Sequence, residues 1–474
     1  MKTILCLIPP ALLLPLLYFL GDLSPESFRT IFTLYLTGWM VLWWSVEFVP
    51  LGITALLPMV YLPTLGLSPI KVVAPTYSNP VIYLFLGGFI IARALEKTRL
   101  SERFALRILK STADSQNGIV LGFIIATTFL SMWISNTATT VMMVPIAMSV
   151  IHFLEKRYSS KDVHSLALVL FLSIAYSANI GGTMTPVGTP PNVVMLGYLG
   201  DLYNMQIDFW RWLTISAPVA ISLLLVMFVS MKALFPCRLR VDQEFIQFVK
   251  ESHQSLGPVS YAQKRTLQVF TLTAFLWVFK GLIHKLTGVD FLNDTSIAIF
   301  GGLLLFCLPD SPAKKHRILD LDDVSYLPWD IVLLFGGGMA LAAALKDAGL
   351  IELTTSAVTS SSDLSIYWII FGLTAISLFL TEIMSNVALC VVAMPVIMEI
   401  GVSLGLSPFV AAYPAAICTS YAFSLPISTP PNAIVFATNR VRISEMLRIG
   451  IILNFVGLAL VMTLGWYLVK WLGI

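Results

Sequence analysis

Two clusters of uncharged polar residues interrupt long apolar stretches of this 474-residue chain. The first contains Ser131, Ser135, Asn136 and Thr137, and the second contains Thr381, Ser385 and Asn386. Hydroxyl and amide oxygens can coordinate a hard monovalent cation, and the O–H and N–H groups can hydrogen-bond a carboxylate. The same side chains can also simply cap helix ends. The two roles are compatible.

Two matched proline motifs follow these clusters, TPVGTPPN at 185–192 and PISTPPN at 426–432. A Pro-Pro pair removes two backbone donors and disfavours helix at the preceding residue, so the chain must unwind. Unwinding frees carbonyl oxygens for a cation, and the restarting helix directs N–H groups at an anion. A simple proline kink is the alternative. Two matched copies favour a binding role.

The composition places these motifs in a membrane. Hydrophobic residues make up 57% of the chain and charged residues 12%, about half the roughly 25% of soluble domains. This excludes a soluble enzyme, and a net charge of +3 without a basic tract excludes a nucleic-acid binder. The five cysteines occur singly, which supports neither a disulfide framework nor a zinc site.

The pattern predicts an all-α polytopic membrane protein. Apolar stretches of bilayer-crossing length recur along the chain, beginning with a first spanning helix at 4–20. Residues 117–155 and 364–404 are each interrupted centrally, which predicts two re-entrant helical hairpins. The proline motifs predict two broken transmembrane helices at 163–200 and 408–439, and a last helix covers 445–472.

The two halves of the chain resemble each other. The segment 84–100 aligns with 334–350 at an offset of 250, and Ser135-Asn136 aligns with Ser385-Asn386 at that offset. The TPPN motifs align at an offset of 240. Lys and Arg concentrate in alternate loops, which predicts a cytoplasmic N-terminus and opposite orientations for the two copies. An inverted repeat with interrupted helices indicates a secondary transporter with a site between the halves.

The charges near these motifs narrow the chemistry. None of the four motifs contains Lys or Arg, yet an anion at the bilayer midplane needs counter-charge. Helix N-termini supply only about half a positive charge each. Bound Na⁺ would supply the rest of the counter-charge that the anion needs. Glu382, the acid beside a tip, is interpreted as a structural hydrogen-bond acceptor in preference to a proton or cation site. Arg93 and Lys280 lie near helix ends and are expected to snorkel.

The motifs SMWISNTATT (131–140) and TEIMSNVA (381–388), with two TPPN motifs, resemble those of the divalent anion/sodium symporter family. That family contains bacterial Na⁺/dicarboxylate symporters. The resemblance implies a homodimer, an elevator mechanism, and a scaffold and a transport part in each protomer. The scaffold would comprise 1–112 and 211–346, including a cytoplasmic loop at 232–265. The transport part would comprise 113–210 and 347–474.

The resemblance also implies site residues. A first Na⁺ site would use Ser131, Ser135, Asn136 and Gly188, and a second would use Thr381, Asn386 and the backbone near Met384, Ser428 and Pro430. Substrate carboxylates would contact Ser135, Asn136, Thr137, Thr189, Ser385, Asn386 and Thr429. The family pattern Ser-Asn-Thr becomes Ser-Asn-Val at 385–387, so Val387 lacks one hydroxyl contact.

The sequence therefore predicts a bilayer-embedded transporter that couples Na⁺ influx to uptake of C4 dicarboxylates such as succinate, fumarate or malate in a bacterial inner membrane. Three alternatives stay open: a Na⁺-independent dicarboxylate exchanger, a Na⁺-coupled transporter of sulfate or citrate, and an ion channel with re-entrant loops. An enzyme is disfavoured because the chain lacks a convincing catalytic pair.

Overall fold

The computed structural model describes residues 8–13, 24–46, 49–158, 160–236, 242–288, 293–312, 316–351, 353, 355–356 and 365–473. Over these residues the protein is helical, and its β-structure is a single bridge between Pro309 and Arg317. Eight continuous helical segments in this part are long and apolar enough to cross a bilayer by length and composition. The all-α membrane architecture is thus confirmed. Most of the predicted span 4–20 lies outside the described residues.

Besides a short helical segment at 8–13 and a 3-10 helix at Ala74–Ser78, the described part of the first half contains ten α-helices. They are α1 (Pro25–Val46), α2 (Leu51–Thr54), α3 (Leu57–Thr64), α4 (Ile70–Val73), α5 (Pro80–Lys97), α6 (Leu100–Thr112), α7 (Gln116–Ser131), α8 (Asn136–Glu155), α9 (Ser160–Gly182) and α10 (Pro190–Tyr203). The predicted hairpin 117–155 is formed by α7 and α8. The predicted broken helix 163–200 is formed by α9 and α10, which are separated by residues 183–189.

The second half repeats this arrangement. Its described helices are α11 (Phe209–Leu234), α12 (Gln243–Gln254), α13 (Tyr261–Thr287), α14 (Asp294–Cys307), α15 (Trp329–Asp347), α16 (Ile366–Leu380), α17 (Asn386–Ser403), α18 (Pro408–Thr419), α19 (Pro430–Ala437), α20 (Ile443–Leu460) and α21 (Trp466–Trp471). The hairpin 364–404 is α16 and α17, except that residue 364 lies outside the described part. The broken helix 408–439 is α18 and α19. A π-helical turn, Val461–Gly465, joins α20 to α21.

Helix α12 lies within the predicted loop 232–265 and was not predicted from the sequence. Asp242 caps it by accepting a hydrogen bond from the Phe245 backbone N–H at 2.8 Å. Its apolar side buries Phe245, and Phe248 stacks on Phe153 near the end of α8 with ring centroids 4.4 Å apart. The helix therefore covers the end of the first hairpin. Residues 237–241 of the same loop lie outside the described part.

Two contacts join a hairpin arm of one half to the restarted helix of the other half. At the end of α8, Glu155 pairs with Arg440, which follows α19, at 2.6 Å. At the end of α17, Glu399 accepts a hydrogen bond from Tyr203 at the end of α10, at 2.8 Å. In each case a second hairpin arm from one half ends beside the restarted helix of the other half. A two-fold relation between the halves produces such reciprocal contacts, as expected of an inverted repeat.

Arg93 and Lys280, which were expected to snorkel, form ion pairs in the structure. The Arg93 Nε lies 3.0 Å from Asp323 Oδ1. The Lys280 Nζ lies 2.6 Å from Asp208 Oδ1 and 2.8 Å from Asp294 Oδ1. Sequence separations of 14 to 230 residues hide these partners from a local interpretation. Both cations join helices together and neither reaches the polar clusters.

Candidate functional site

Hydrogen bonds join the tip of the first hairpin to the first broken helix. Ser131 ends α7, and its hydroxyl oxygen lies 2.7 Å from Asn136 Oδ1 and 2.7 Å from the Ala178 carbonyl oxygen. Thr185, in the unwound segment, donates to the Met132 carbonyl at 2.5 Å. The predicted cluster and the predicted break therefore form one site.

Glycine is required where these segments meet. A Cβ added to Gly182 would lie 2.3 Å from Asn136 Oδ1. A Cβ added to Gly188 would lie 2.4 Å from the Gly182 carbonyl oxygen and 2.9 Å from the Ser131 carbonyl oxygen. All three distances are shorter than real Cβ contacts. At Gly188 the added Cβ would meet backbone atoms, so a side chain is excluded there, whereas at Gly182 the Asn136 side chain would have to move. The four residues predicted for the first Na⁺ site, Ser131, Ser135, Asn136 and Gly188, are thus brought together around this junction.

The second tip repeats the geometry of the first. The Thr381 hydroxyl oxygen lies 2.7 Å from Asn386 Oδ1 and 2.7 Å from the Thr419 carbonyl oxygen. These are the same distances as at Ser131. Met384 lies in the turn before α17, and Pro430 is the first residue of α19. Among the predicted second-site residues, Thr381 and Asn386 are therefore directly joined.

The asparagine of each TPPN motif holds its own unwound segment. Asn192 Nδ2 donates to the carbonyls of Gly182 at 3.3 Å and Thr185 at 2.8 Å. Asn432 Nδ2 does the same for Ala422 at 2.9 Å and Leu425 at 3.0 Å. Each side-chain amide therefore donates hydrogen bonds to backbone carbonyls that lost their helical partners where the chain unwinds. The sequence motif contained both residues, but their function as clamps was not predicted.

The threonine of each TPPN motif starts the second helix. Thr189 and Thr429 share nearly the same backbone, with φ of −142° in both and ψ of 141° and 150°. Each is 3% exposed. The Thr429 side chain accepts a hydrogen bond from the Asn432 backbone N–H, whereas Thr189 makes no side-chain capping bond. The halves thus match in backbone and differ in how the hydroxyl is used.

Four helix N-termini, those of α8, α10, α17 and α19, belong to these tips and breaks. Helix N-termini attract anions because their first N–H groups are unpaired and the helix dipole is positive there. Over the described residues no group of three His, Cys, Asp or Glu side chains forms a metal cluster. A cation at these tips would therefore be bound by hydroxyl, amide and backbone oxygens. Such neutral oxygen ligands suit a hard monovalent ion.

Glu382 is a buried hydrogen-bond acceptor, as its interpretation from the sequence predicted. Its carboxylate accepts from the backbone N–H groups of 423, 424 and 425 at 2.9 to 3.2 Å. It also accepts from Ser428 Oγ at 2.8 Å and from Asn454 Nδ2 at 2.6 Å. These bonds hold the second unwound segment against the second tip. The position of Glu382 in the repeat is occupied by Met132 in the first half, so the first break lacks this anchor.

The two restarted helices differ in exposure. Val193 on α10 is fully buried, and Pro191, also buried, accepts a hydrogen bond from the Cys390 thiol through its carbonyl at 3.3 Å. The corresponding side of α19 is open, because Pro430, Ala433 and Ala437 are exposed. Thr137, at the start of α8, is exposed beside it. Among the described residues, the second restarted helix is therefore exposed along one face, whereas the first is buried.

The remaining predicted substrate contacts lie at the two hairpin tips. Ser135, Asn136, Ser385 and Asn386 are half-buried at the two tips. Ser135 caps α8 by accepting from the Ala138 backbone N–H at 3.3 Å, so capping and a site position coincide here. Val387 is half-buried and packs against the apolar core, while its counterpart Thr137 is exposed.

Comparison with known proteins adds evidence from the whole chain. A family model described as the sodium:sulfate symporter transmembrane region matches residues 4–474. The chain belongs to the sodium:sulfate symporter family. Members of this family are membrane transporters, and this one is a transporter rather than an enzyme. The family resemblance drawn from the Ser-Asn tips and TPPN breaks is confirmed.

Curated relatives cover almost the entire length of this symporter-family chain. The sodium-dependent dicarboxylate transporter SdcS of Staphylococcus saprophyticus is 34% identical over 466 residues, which cover 96% of this chain and 90% of that protein. SdcS of Staphylococcus aureus strain USA300 is 33% identical over 469 residues, covering 97% and 89%.

Solved structures share the fold. The YdaH transporter of Alcanivorax borkumensis superimposes with a TM-score of 0.58 at 13% identity, over 94% of this chain and 98% of that chain. MtrF of Neisseria gonorrhoeae gives a TM-score of 0.56 at 15% identity, over 84% and 83%. At these identities the likeness concerns the arrangement of helices alone.

Proposed function

We propose that this family member is a secondary active transporter that couples Na⁺ influx to uptake of C4 dicarboxylates such as succinate, fumarate or malate. One observation carries the proposal. In both halves a hairpin-tip hydroxyl lies 2.7 Å from an asparagine Oδ1 and 2.7 Å from a carbonyl of the adjoining broken helix. Duplicate neutral oxygen sites beside helix N-termini suit two cations and an anion together.

The first Na⁺ would be held by Ser131, Ser135, Asn136 and the Gly188 backbone. The second would be held by Thr381, Asn386 and the backbone near Met384, Ser428 and Pro430. These groups present neutral oxygens and no fixed cation accompanies them. Binding Na⁺ therefore supplies the positive charge that a dianion requires at this depth. This electrostatic dependence is the proposed basis of coupling.

The substrate carboxylates would bind between the tips. One would meet Ser135, Asn136 and Thr137 with Thr189, and the other would meet Ser385 and Asn386 with Thr429. The second group lacks a hydroxyl at Val387. The half that lacks this contact would then depend more on Thr429.

The proposed mechanism is an elevator, in which a transport part moves relative to a scaffold within a homodimer. The transport part would contain both hairpins and both broken helices, at 113–210 and 347–474, and the scaffold would contain 1–112 and 211–346. Packing favours one change to this division. Ser216 on α11 lies 3.2 Å from the Tyr413 hydroxyl on α18, and α11 is the repeat counterpart of α20. We therefore place α11 with the transport part.

The proposed location is a bacterial inner membrane with a cytoplasmic N-terminus. Lys156, Arg157 and Lys161 follow α8, and Arg440 and Arg442 follow α19. Basic residues concentrate in cytoplasmic loops. The ends of α8 and α19 would then lie on the cytoplasmic side.

The relatives named sodium-dependent dicarboxylate transporters support dicarboxylate as substrate and Na⁺ as coupling ion. Sulfate is the second candidate, because the matching family model is described by sodium and sulfate. Both anions carry two negative charges. They differ in the distance between those charges, so competition between them separates the candidates.

The test is uptake of radiolabelled succinate into proteoliposomes, first with an inward Na⁺ gradient and then with K⁺ replacing Na⁺. We expect saturable uptake with Na⁺ alone. Equal uptake in both, stimulated by internal dicarboxylate, would identify an exchanger and contradict the two Na⁺ sites. Currents far above transporter turnover would identify a channel. If the protein takes up sulfate or citrate and not succinate, the proposed substrate is wrong and that anion takes its place.

A further inference from the structure

We propose that Asn179 is a positioning residue that fixes the Thr429 hydroxyl as a hydrogen-bond donor to the substrate carboxylate. The inference rests on the proposed dicarboxylate transport and adds a residue to its binding site. Asn179 lies in α9, four residues before the first break begins at 183. Thr429 precedes α19, 250 residues further along the chain.

The contact crosses from one half of the protein to the other. Asn179 Nδ2 donates to Thr429 Oγ1 at 3.1 Å, and both residues are buried, with exposures of 1% and 3%. The Asn432 backbone N–H donates to the same oxygen at 3.3 Å. Two N–H groups thus point at one hydroxyl oxygen.

A hydroxyl has one proton to donate and two lone pairs that accept. At Thr429 both lone pairs are used, so its proton is the group left to make a further bond. No acceptor for that proton occurs among the described residues. An ionised carboxylate only accepts hydrogen bonds and matches this proton. A hydroxyl that already accepts two bonds is also a stronger donor.

The first half lacks the corresponding arrangement. At the offset of 240 the counterpart of Asn179 is Thr419, whose hydroxyl donates to Ala416 within its own helix at 2.7 Å. Aligned instead by the tip contacts of Ala178 and Thr419, it is Ser420, whose hydroxyl has no partner among the described residues. Thr189, the counterpart of Thr429, makes no side-chain capping bond. The fixed donor therefore belongs to the half in which Val387 has removed a hydroxyl. In that half Asn179 and Thr429 together would compensate for the missing contact.

The test is a double-mutant cycle in the full-length protein, reconstituted in proteoliposomes, with succinate as the probe. Asn179→Thr installs the residue of the other half, whose hydroxyl can bond within its own helix. Thr429→Val removes the hydroxyl at nearly constant shape. Thr429→Ser restores it. Ser177→Ala on the same helix is the control, because the Ser177 hydroxyl has no hydrogen-bond partner in the described structure.

We expect Thr429→Val to raise the succinate KM by about 10- to 100-fold, the range for losing one hydrogen bond to a charged group. Asn179→Thr should raise it by about 10-fold, with the Na⁺ concentration for half-maximal uptake and the maximal rate little changed. The double variant should be no worse than Thr429→Val alone. Thr429→Ser should recover most of the wild-type KM, and Ser177→Ala should retain it.

Multiplying effects in the double variant, or an unchanged KM in Asn179→Thr, would overturn the inference while leaving dicarboxylate transport intact. If Asn179→Thr fails to fold, Asn179→Leu takes its place in the same cycle. A wild-type protein that does not take up dicarboxylate would overturn the proposed function and this inference with it. In that case the Thr429 variants would show no succinate signal to compare.

Discussion

The two TPPN breaks have nearly the same backbone dihedral angles, but the helix that follows the first is buried and the helix that follows the second is exposed along one face. In the first half, neighbouring helices bury α10, and Val193 is fully buried. In the second half, the equivalent Ala433 on α19 is exposed. On the proposed function, the duplicated geometry would provide two cation positions, one in each half. On the proposed function, the unequal burial would let the site open through the second half and not through the first.

The two breaks also differ in what holds them in place. Glu382 holds the second break with backbone and side-chain hydrogen bonds, whereas Met132 occupies its place in the first. The first break instead relies on close backbone contact at Gly182 and Gly188, where the second half has Ala422 and Ser428. The halves therefore reach one geometry through tight packing in one case and a buried carboxylate in the other.

The largest expected effect comes from removing what the halves share. Asn136→Ala and Asn386→Ala should each abolish Na⁺-driven succinate uptake, because each removes the oxygen beside its tip hydroxyl. Proteoliposome uptake measures this, with elution profile and melting temperature reporting folding. Asn117→Ala, at an exposed position on α7, is the control. Wild-type uptake by either well-folded tip variant would contradict equal use of the two sites.

Gly182→Ala tests the packing found in the first half. Its Cβ would meet Asn136 Oδ1 at 2.3 Å. Overpacking costs about 1–3 kcal/mol, so we expect the Na⁺ concentration for half-maximal uptake to rise about 10-fold. Gly200→Ala is the matched control on α10, since nothing lies within 4 Å of its added Cβ. An unchanged Na⁺ dependence in Gly182→Ala would show that packing at Gly182 does not position Asn136 for the first site.

Glu382→Gln tests the anchor found in the second half. A glutamine amide directs N–H groups at backbone and Asn454 donors that the carboxylate now satisfies. We expect the free energy of unfolding to fall by about 1–3 kcal/mol, measured as a lower melting temperature in detergent, together with weaker uptake. Met132→Leu at the equivalent position should change neither quantity. Equal melting temperatures for Glu382→Gln and the wild type would show that the anchor is dispensable.

The smallest effect is expected away from both tips, at Asp323 in the segment Leu321–Tyr326. Burial alone would raise the pKa of Asp323, but hydrogen bonds from Lys97, the Asp320 backbone and Arg93 outweigh it and lower the pKa. The ion pairs therefore stabilise the fold above the ordinary carboxyl pKa, and this stabilisation is lost as the pH falls through the lowered value.

Asp323→Asn should accordingly reduce the melting temperature by a few degrees at neutral pH, an effect of roughly 1 kcal/mol. The difference from the wild type should shrink in acid. The KM for succinate should stay unchanged because Asp323 touches neither tip. A raised KM would mean that the two tips alone do not determine substrate binding.

The sequence predicted the elements that repeat and missed the contacts that break the repeat. Ser135-Asn136, Ser385-Asn386 and the TPPN motifs are local, so their spacing identified both hairpins and both breaks. Glu382 was correctly interpreted, yet its partner Asn454 lies 72 residues away. The bond between Asn179 and Thr429 spans 250 residues. Such partners depend on tertiary packing, which local propensity does not specify.

The unequal opening of the two halves is tested most directly by thiol labelling of Ala433→Cys and Val193→Cys, the same position in the two repeats, in a cysteine-free background. We predict that a hydrophilic maleimide modifies residue 433 at least about 10-fold faster than residue 193, since one is exposed and the other fully buried. Na⁺ with succinate should slow labelling at 433, and K⁺ with succinate should not. Equal labelling of the two positions, or labelling at 433 that ignores Na⁺ and succinate, would contradict a single Na⁺-dependent site opened through the second half.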